Sequence, residues 1–208
     1  MGNPSPKENV KQARRDMNRQ HVFDGAERVF AEHGYERTRM QDVAAESGLS
    51  LATVYDLIRS KEELYAEIHR VRGGALLERA MASSAGATSA FDAVLRGVRA
   101  YVEFLVEHPD YLRIELRESQ PWALSPRFTT EEQGAQWQRG LILAEAAFRA
   151  AIAEGSVIPE APEVLARLMI AAHQVYLGAW VDAGMTEPTS ALIARMQLHV
   201  KRAFGVDL

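Results

Sequence analysis

Ser50, Thr53 and Tyr55 place three hydroxyl groups close together in the chain, and Lys61 adds a cation a few residues later. On short helices these groups suit phosphate oxygens: hydroxyls and an ammonium donate to them, and the free N–H groups of a helix start add to the attraction. Arg39 and Gln41, just upstream, carry side chains able to reach base edges. No catalytic constellation competes with this chemistry. HExxH, Glu-x-x-His pairs, a P-loop, GxGxxG and GxSxG are all missing, and His21, His33, His69, His108, His173 and His199 show no ligand spacing. With no cysteine at all, thiol catalysis, disulfides and cysteine-ligated zinc are excluded together. The residues therefore point away from an enzyme and indicate no cofactor and no metal site.

The elements that would position these groups are written into residues 37–65. Thr38 with Gln41 makes a capping box, Ser50 is a good N-cap, and Ser60 with Glu63 makes a second box, so three short helices start at defined points. Between the first two lies Ser47-Gly48-Leu49, where Gly48 supplies the positive φ of an abrupt turn. Met40, Val43, Ala44, Leu49, Val54, Leu57 and Ile58 provide apolar faces at helical spacing. Two short helices across a glycine turn read as a helix-turn-helix whose second helix, about residues 51–58, would enter a DNA major groove. The preceding helix is expected from about Asn18 to His33, with Val22, Ala26, Val29 and Phe30 on one face and Gly34 ending it.

Gly34-Tyr35, Thr38, Asp42-Val43-Ala44, Gly48-Leu49-Ser50, Thr53-Val54-Tyr55 and Ser60-Lys61-Glu62 together resemble the N-terminal signature of the TetR family of bacterial transcriptional repressors, over about residues 18–65. Leu57 and Ile58 depart from it, standing where the family commonly has His or Tyr and then Phe. The resemblance implies DNA contacts at Thr38, Arg39, Gln41, Ser50, Leu51, Ala52, Thr53, Tyr55 and Lys61. Leu51 and Ala52 match positions at which the family reads base edges. Both are apolar, so specificity should lean on Gln41, Arg39, thymine methyl contacts and DNA shape. The resemblance further implies that the last two helices pair with their copies in a twofold four-helix bundle. Leu165, Leu168, Met169, Ala172, Val175 and Ala179 on one helix, and Leu192, Ile193, Met196 and Val200 on the other, form the broad apolar stripes available for that homodimer. Its double-stranded DNA operator would be palindromic.

The 208 residues suffice to bury a real core, and the 47% hydrophobic, alanine-rich composition with few β-branched runs predicts an all-α protein. A flexible basic tail at 1–17 is expected to precede the three-helix helix-turn-helix domain at 18–65, with a larger helical effector-binding and dimerisation domain at 66–208. The net charge of −4 is unevenly spread, because residues 1–22 carry a local +3. That tail reads either as a solvated leader or as an arm touching phosphates or the minor groove. No signal-peptide core is present at the N-terminus, and the uncharged stretch Leu168 to Val181 is shorter than a bilayer span. A cytoplasmic protein without a membrane partner is expected.

In the C-terminal part, helices are expected at about 89–107, 110–118, 127–154, 161–183 and 188–204, with helix four running on from Ser60 toward Leu76 as a mechanical lever. Tyr101, Phe104, Tyr111, Trp122, Phe128, Trp137 and Tyr176, with the polar His173 and Gln174, are the candidates to line a pocket for a small, largely apolar or aromatic effector. The sequence thus predicts a ligand-responsive DNA-binding regulator, a repressor released from its operator by that effector. An effector-independent DNA-binding structural protein and an all-helical enzyme are the alternatives.

Overall fold

The structure, a computed structural model, describes residues 6–117, 123 and 127–206. Among these residues every regular element is helical, apart from one isolated bridge between Val157 and Gly205. The chain divides into two compact units, Met1–Ile68 and His69–Leu208.

The first unit holds α1 (Pro6–Arg37), α2 (Met40–Glu46), α3 (Leu51–Leu57) and α4 (Lys61–Ile68). Where the sequence suggests a flexible tail through residue 17, α1 already begins at Pro6. Its added turns have partners. Gln12 donates to Asp16 within the helix at 2.7 Å, and Arg15 and Arg19 reach the end of α3. The helix breaks at Gly34, whose φ of 76° and ψ of 167° are not helical. Val22, Ala26, Val29 and Phe30 are buried as their spacing predicts, as are Val43, Ala44, Val54, Ile58, Leu64 and Ile68, and α1 packs on α2, α3 and α4. Phe30, Tyr35 and Tyr65 form an aromatic cluster, with Tyr65 meeting the other two rings at 4.9 Å. Full burial of each large side chain in this core is worth about 1.5–3 kcal/mol.

The second unit starts with a π-helical segment, His69–Gly73, and continues through α5 (Gly74–Ser83), α6 (Ala90–Glu107), α7 (Pro109–Arg117), α8 (Glu131–Ala153), α9 (Pro162–Asp182) and α10 (Thr189–Phe204). The fourth helix is therefore interrupted by an extra residue per turn rather than running evenly toward Leu76. Ser89 and Thr130 cap α6 and α8 by accepting from the N–H groups of Asp92 and Gln133 at 3.0 and 3.2 Å. That cap sets the start of α8 after Thr130, later than the sequence suggests. α6 packs on α5, α8 and α10, and α8 packs on α9.

α9 contains the uncharged stretch Leu168 to Val181 and extends it at both ends. The helix spans 21 residues and is long and apolar enough to cross a membrane by length and composition. Here it is a core helix on one side: Leu165, Ala166, His173, Leu177 and Trp180 are buried inside the unit.

Candidate DNA-reading face and effector cavity

The helix-turn-helix is built from three local devices. Gly48 takes a φ of +68° between α2 and α3. Ser47 beside it donates from its hydroxyl to the Val43 carbonyl at 2.6 Å, and α1 approaches this turn so closely that a Cβ on Gly25 would lie 2.5 Å from Ser47 Oγ. Ser50 caps α3 as predicted, accepting from the Thr53 N–H at 3.1 Å.

At α2 the cap lies one residue later than expected. Arg39 is the N-cap, and its N–H donates to the Asp42 carboxylate at 3.0 Å. Thr38 instead turns back and donates to the Gly34 carbonyl at 2.8 Å. Ser60 accepts from the Glu63 N–H at 3.0 Å, whereas the Glu63 carboxylate takes the N–H of Arg59, not that of Ser60.

Arg39, Gln41, Ser50, Ala52 and Tyr55 are exposed, Tyr55 at 48%, and Leu51, Thr53 and Lys61 are half-buried. Thr38 is buried, which corrects its place among the surface candidates. Lys61 is also engaged. Its ammonium donates to the Tyr35 carbonyl at 2.7 Å and sits 4.2 Å from the centroid of the Tyr35 ring, so it closes the end of α1.

Two residues that the sequence placed in a basic tail hold α3 in place. Arg15 and Arg19 donate to the carbonyls of Asp56 and Leu57 at 3.4 and 3.1 Å, meeting acceptors that the last turn of a helix leaves open. Arg19 also pairs with Glu67.

The second unit holds a partly open cavity of about 250 Å³. Tyr101, Tyr111, Phe128, Trp137 and His173 line it, as expected. Phe104, Gln174 and Tyr176 do not. Phe104 is buried and stacks on His108 at 4.3 Å, while Tyr176 meets His199 at 5.5 Å and the Arg195 guanidinium at 5.1 Å. Trp122 lies outside the described residues.

Sequence reasoning passed over His69, Glu115 and Gln136, which also line the cavity. A signal for Gln136 was present: Gln133, Gln136, Gly140, Ala144 and Ala147 recur at helical spacing on α8, and they are polar or small where a packed core would place leucine. Gly134 admits the Phe128 ring, since a Cβ there would sit 2.9 Å from it.

The polar side of the cavity is held by pairwise contacts. His69 Nδ1 lies 3.2 Å from the Glu115 carboxylate, and His69 meets the Tyr111 ring edge-on at 5.7 Å. Tyr101 stacks on His173 at 5.0 Å. Burial, with His199 adding to it, lowers the His173 pKa to about 4, so its ring is neutral near pH 7. Burial and then the Glu115 charge raise the Tyr101 hydroxyl. Gln136 donates from Nε2 to Glu132 at 2.8 Å. Its Oε1, and Nε2 of His173, are buried without a hydrogen-bond partner. Among the described residues no cluster of three candidate metal ligands is present.

The outward faces of the last two helices differ from expectation. Leu165, Leu192, Ile193, Met196 and Val200 are interior to the unit, and Met169 lines the cavity. The exposed apolar stripe consists instead of Val164, Leu168, Val175 and Ala179, with the half-buried Ala172 between them, and Leu198 on α10.

Residues 22–68 match the model of the bacterial regulatory proteins of the tetR family. Over 189 residues, 88% of this chain and 93% of the relative, the sequence is 24% identical to the HTH-type transcriptional repressor AcnR of Corynebacterium efficiens. The fold is similar to that of the ketosteroid transcriptional regulator KstR2 of Mycobacterium tuberculosis, with a TM-score of 0.75 at 19% identity over 91% of this chain and 95% of that one. It is also similar to FadR from Bacillus subtilis, solved in complex with stearoyl-CoA, with a TM-score of 0.74 at 14% identity over 87% and 96% of the two chains. The helix-turn-helix of residues 22–68, with Gln41 and Tyr55 exposed on α2 and α3, is thus that of the bacterial regulatory proteins of the tetR family.

Proposed function

We propose that the chain is a ligand-switched repressor that acts in the cytoplasm as a homodimer. Two helix-turn-helix units would sit in successive major grooves of a palindromic operator, with half-sites about 34–36 Å apart or a multiple of that. A small, largely apolar or aromatic effector in the second unit's cavity would release it. The observation that carries this reading is the cavity itself, because two buried polar atoms on its walls have no partner. Its wall includes His69 and Gly73, in the π-helical segment that follows α4 directly in the chain. A ligand that changes the path of that segment would change how α4 carries the reading unit. Only about 1.4 kcal/mol of coupling is needed for a tenfold loss of operator affinity. The similarity to AcnR, a transcriptional repressor, supports repression as the direction of control.

Phosphate contacts by Ser50, Thr53, Tyr55 and Lys61 would position the unit, and Gln41 and Arg39 would read bases, with Leu51 and Ala52 against thymine methyls. The test is selection of random-core duplex DNA at near-physiological salt by wild type and by a Tyr55→Phe, Lys61→Ala double variant. A palindrome enriched by wild type alone is the expected result, and Gln41→Ala should shift its sequence. Binding that merely fades with salt, with no enriched sequence, would sink the proposal.

A further inference from the structure

The Gln136 amide can be oriented in one way only. Its neighbour Glu132 carries a carboxylate that accepts and does not donate, so the NH2 group must face it, at 2.8 Å, and the carbonyl oxygen must face elsewhere. That oxygen is buried, has no donor, and belongs to a side chain that lines the cavity and is only 7% exposed. Buried acceptors nearly always have a donor, so one left open beside a cavity marks a place for the donor of a guest. His173 repeats the pattern on the facing helix α9: it is 5% exposed, lines the same cavity, and its Nε2 has no partner.

Charge and size narrow the guest further. Among the described residues, the aspartate, glutamate, lysine and arginine side chains that line the cavity are Glu115 and Arg127. The Glu115 carboxylate is beside His69 Nδ1 at 3.2 Å, and Arg127 is exposed. A carboxylate or phosphate seated at Gln136 would meet an amide oxygen, an acceptor, with no lysine or arginine buried beside it, and an ammonium would have to share a carboxylate already engaged. Both would be buried without compensation. A dry cavity of about 150 Å³ holds benzene, so the 250 Å³ interior of this partly open cavity takes roughly ten non-hydrogen atoms of a guest, the size of two fused rings.

We propose that this cavity takes a neutral, bicyclic-sized, largely apolar alcohol or phenol whose hydroxyl donates to Oε1 of Gln136. This rests on the reading of the cavity as the effector site.

The test is calorimetric titration of the full-length protein with 2-naphthol, 2-methoxynaphthalene, 2-naphthoate and 2-naphthylmethylammonium. Wild type should bind 2-naphthol at least tenfold more tightly than the ether, and more tightly still than either ion. Gln136→Leu should shrink the hydroxyl preference to within about threefold, and Ala144→Trp, which fills the cavity, should abolish binding. The wild-type series alone decides the matter, so it stands even if a variant fails to fold. Equal binding of ether and naphthol, tightest binding of an ion, or an intact preference in Gln136→Leu would overturn the proposal. If Ala144→Trp still removes binding in those cases, the cavity reading survives. No binding by any probe, or binding indifferent to Ala144→Trp, would overturn both. Binding with the expected preference that leaves operator affinity unchanged would keep the ligand class and remove the switch.

Discussion

His173 is a histidine that folding keeps neutral, and stability should record it. Its pKa falls from 6.5 to about 4, so between those values the unfolded chain takes up a proton that the folded protein refuses. The contribution is intact above pH 6.5 and is lost progressively as the pH drops toward 4. At 1.36 kcal/mol per pH unit, about 2 kcal/mol should be gone by pH 5. Urea unfolding at pH 7 and pH 5 should show wild type losing about that much more than His173→Phe. Parallel losses in the two proteins would mean that the ring is not held neutral. Lys61 poses a separate problem, because it serves the end of α1 as well as a prospective phosphate. Lys61→Ala should therefore cost about 1–2 kcal/mol of stability along with DNA affinity. Tyr55→Phe, at an exposed site, should change stability by less than about 0.5 kcal/mol, so melting curves separate the two roles.

At the scale of elements, the turn between α2 and α3 depends on two glycines for different reasons. Gly48 needs its positive φ, and nothing crowds it, so Gly48→Ala should cost only the backbone term of about 1–2 kcal/mol. Gly25 needs space. A methyl there would collide with Ser47 Oγ at 2.5 Å and press on the Ser47 backbone at 3.2 Å, so Gly25→Ala should cost about 1–3 kcal/mol. Ser47→Ala removes the nearest clash, and the double variant should be more stable than the sum of the two singles predicts by roughly 1 kcal/mol. Strict additivity in denaturant titrations would show that α1 yields freely at this crossing. The same logic explains the length of α1: its early turns are anchored by Arg15 and Arg19 on the carbonyls of α3, a contact between residues about forty positions apart that helix propensity cannot report.

For the whole molecule, α9 and α10 divide their apolar residues between the core and an exposed face. Val164, Leu168 and Val175 are exposed on α9 at 40%, 52% and 70%, an apolar row that a second copy would cover. Leu168→Glu with Val175→Glu should yield a folded monomer in analytical ultracentrifugation, with helical content retained. Leu192→Glu should instead unfold the protein, because that side chain is fully buried within its own unit. A double variant that still sediments as a dimer would place the interface elsewhere.

Local chemistry was legible in the sequence because it is decided by neighbours in the chain. Ser50 as a cap, Gly48 as a turn, Gly34 as the end of the first helix, the inward stripe of Val22 to Phe30 and the all-helical fold follow from spacing and backbone preference alone. Groups serving distant partners could not be read this way. Thr38 and Lys61 look like surface ligands until the end of α1 arrives beside them, and Arg15 and Arg19 look like a loose basic tail until α3 presents its carbonyls. An apolar stripe as broad as those of α9 and α10 does not say which of its residues the unit's own core covers, so its buried and exposed sides could not be told apart. Tertiary packing alone assigned Leu192 to the interior and Val175 to the outside. It alone brought Gln136, His173 and His69 to one cavity, because a cavity is defined by the side chains that fail to fill it.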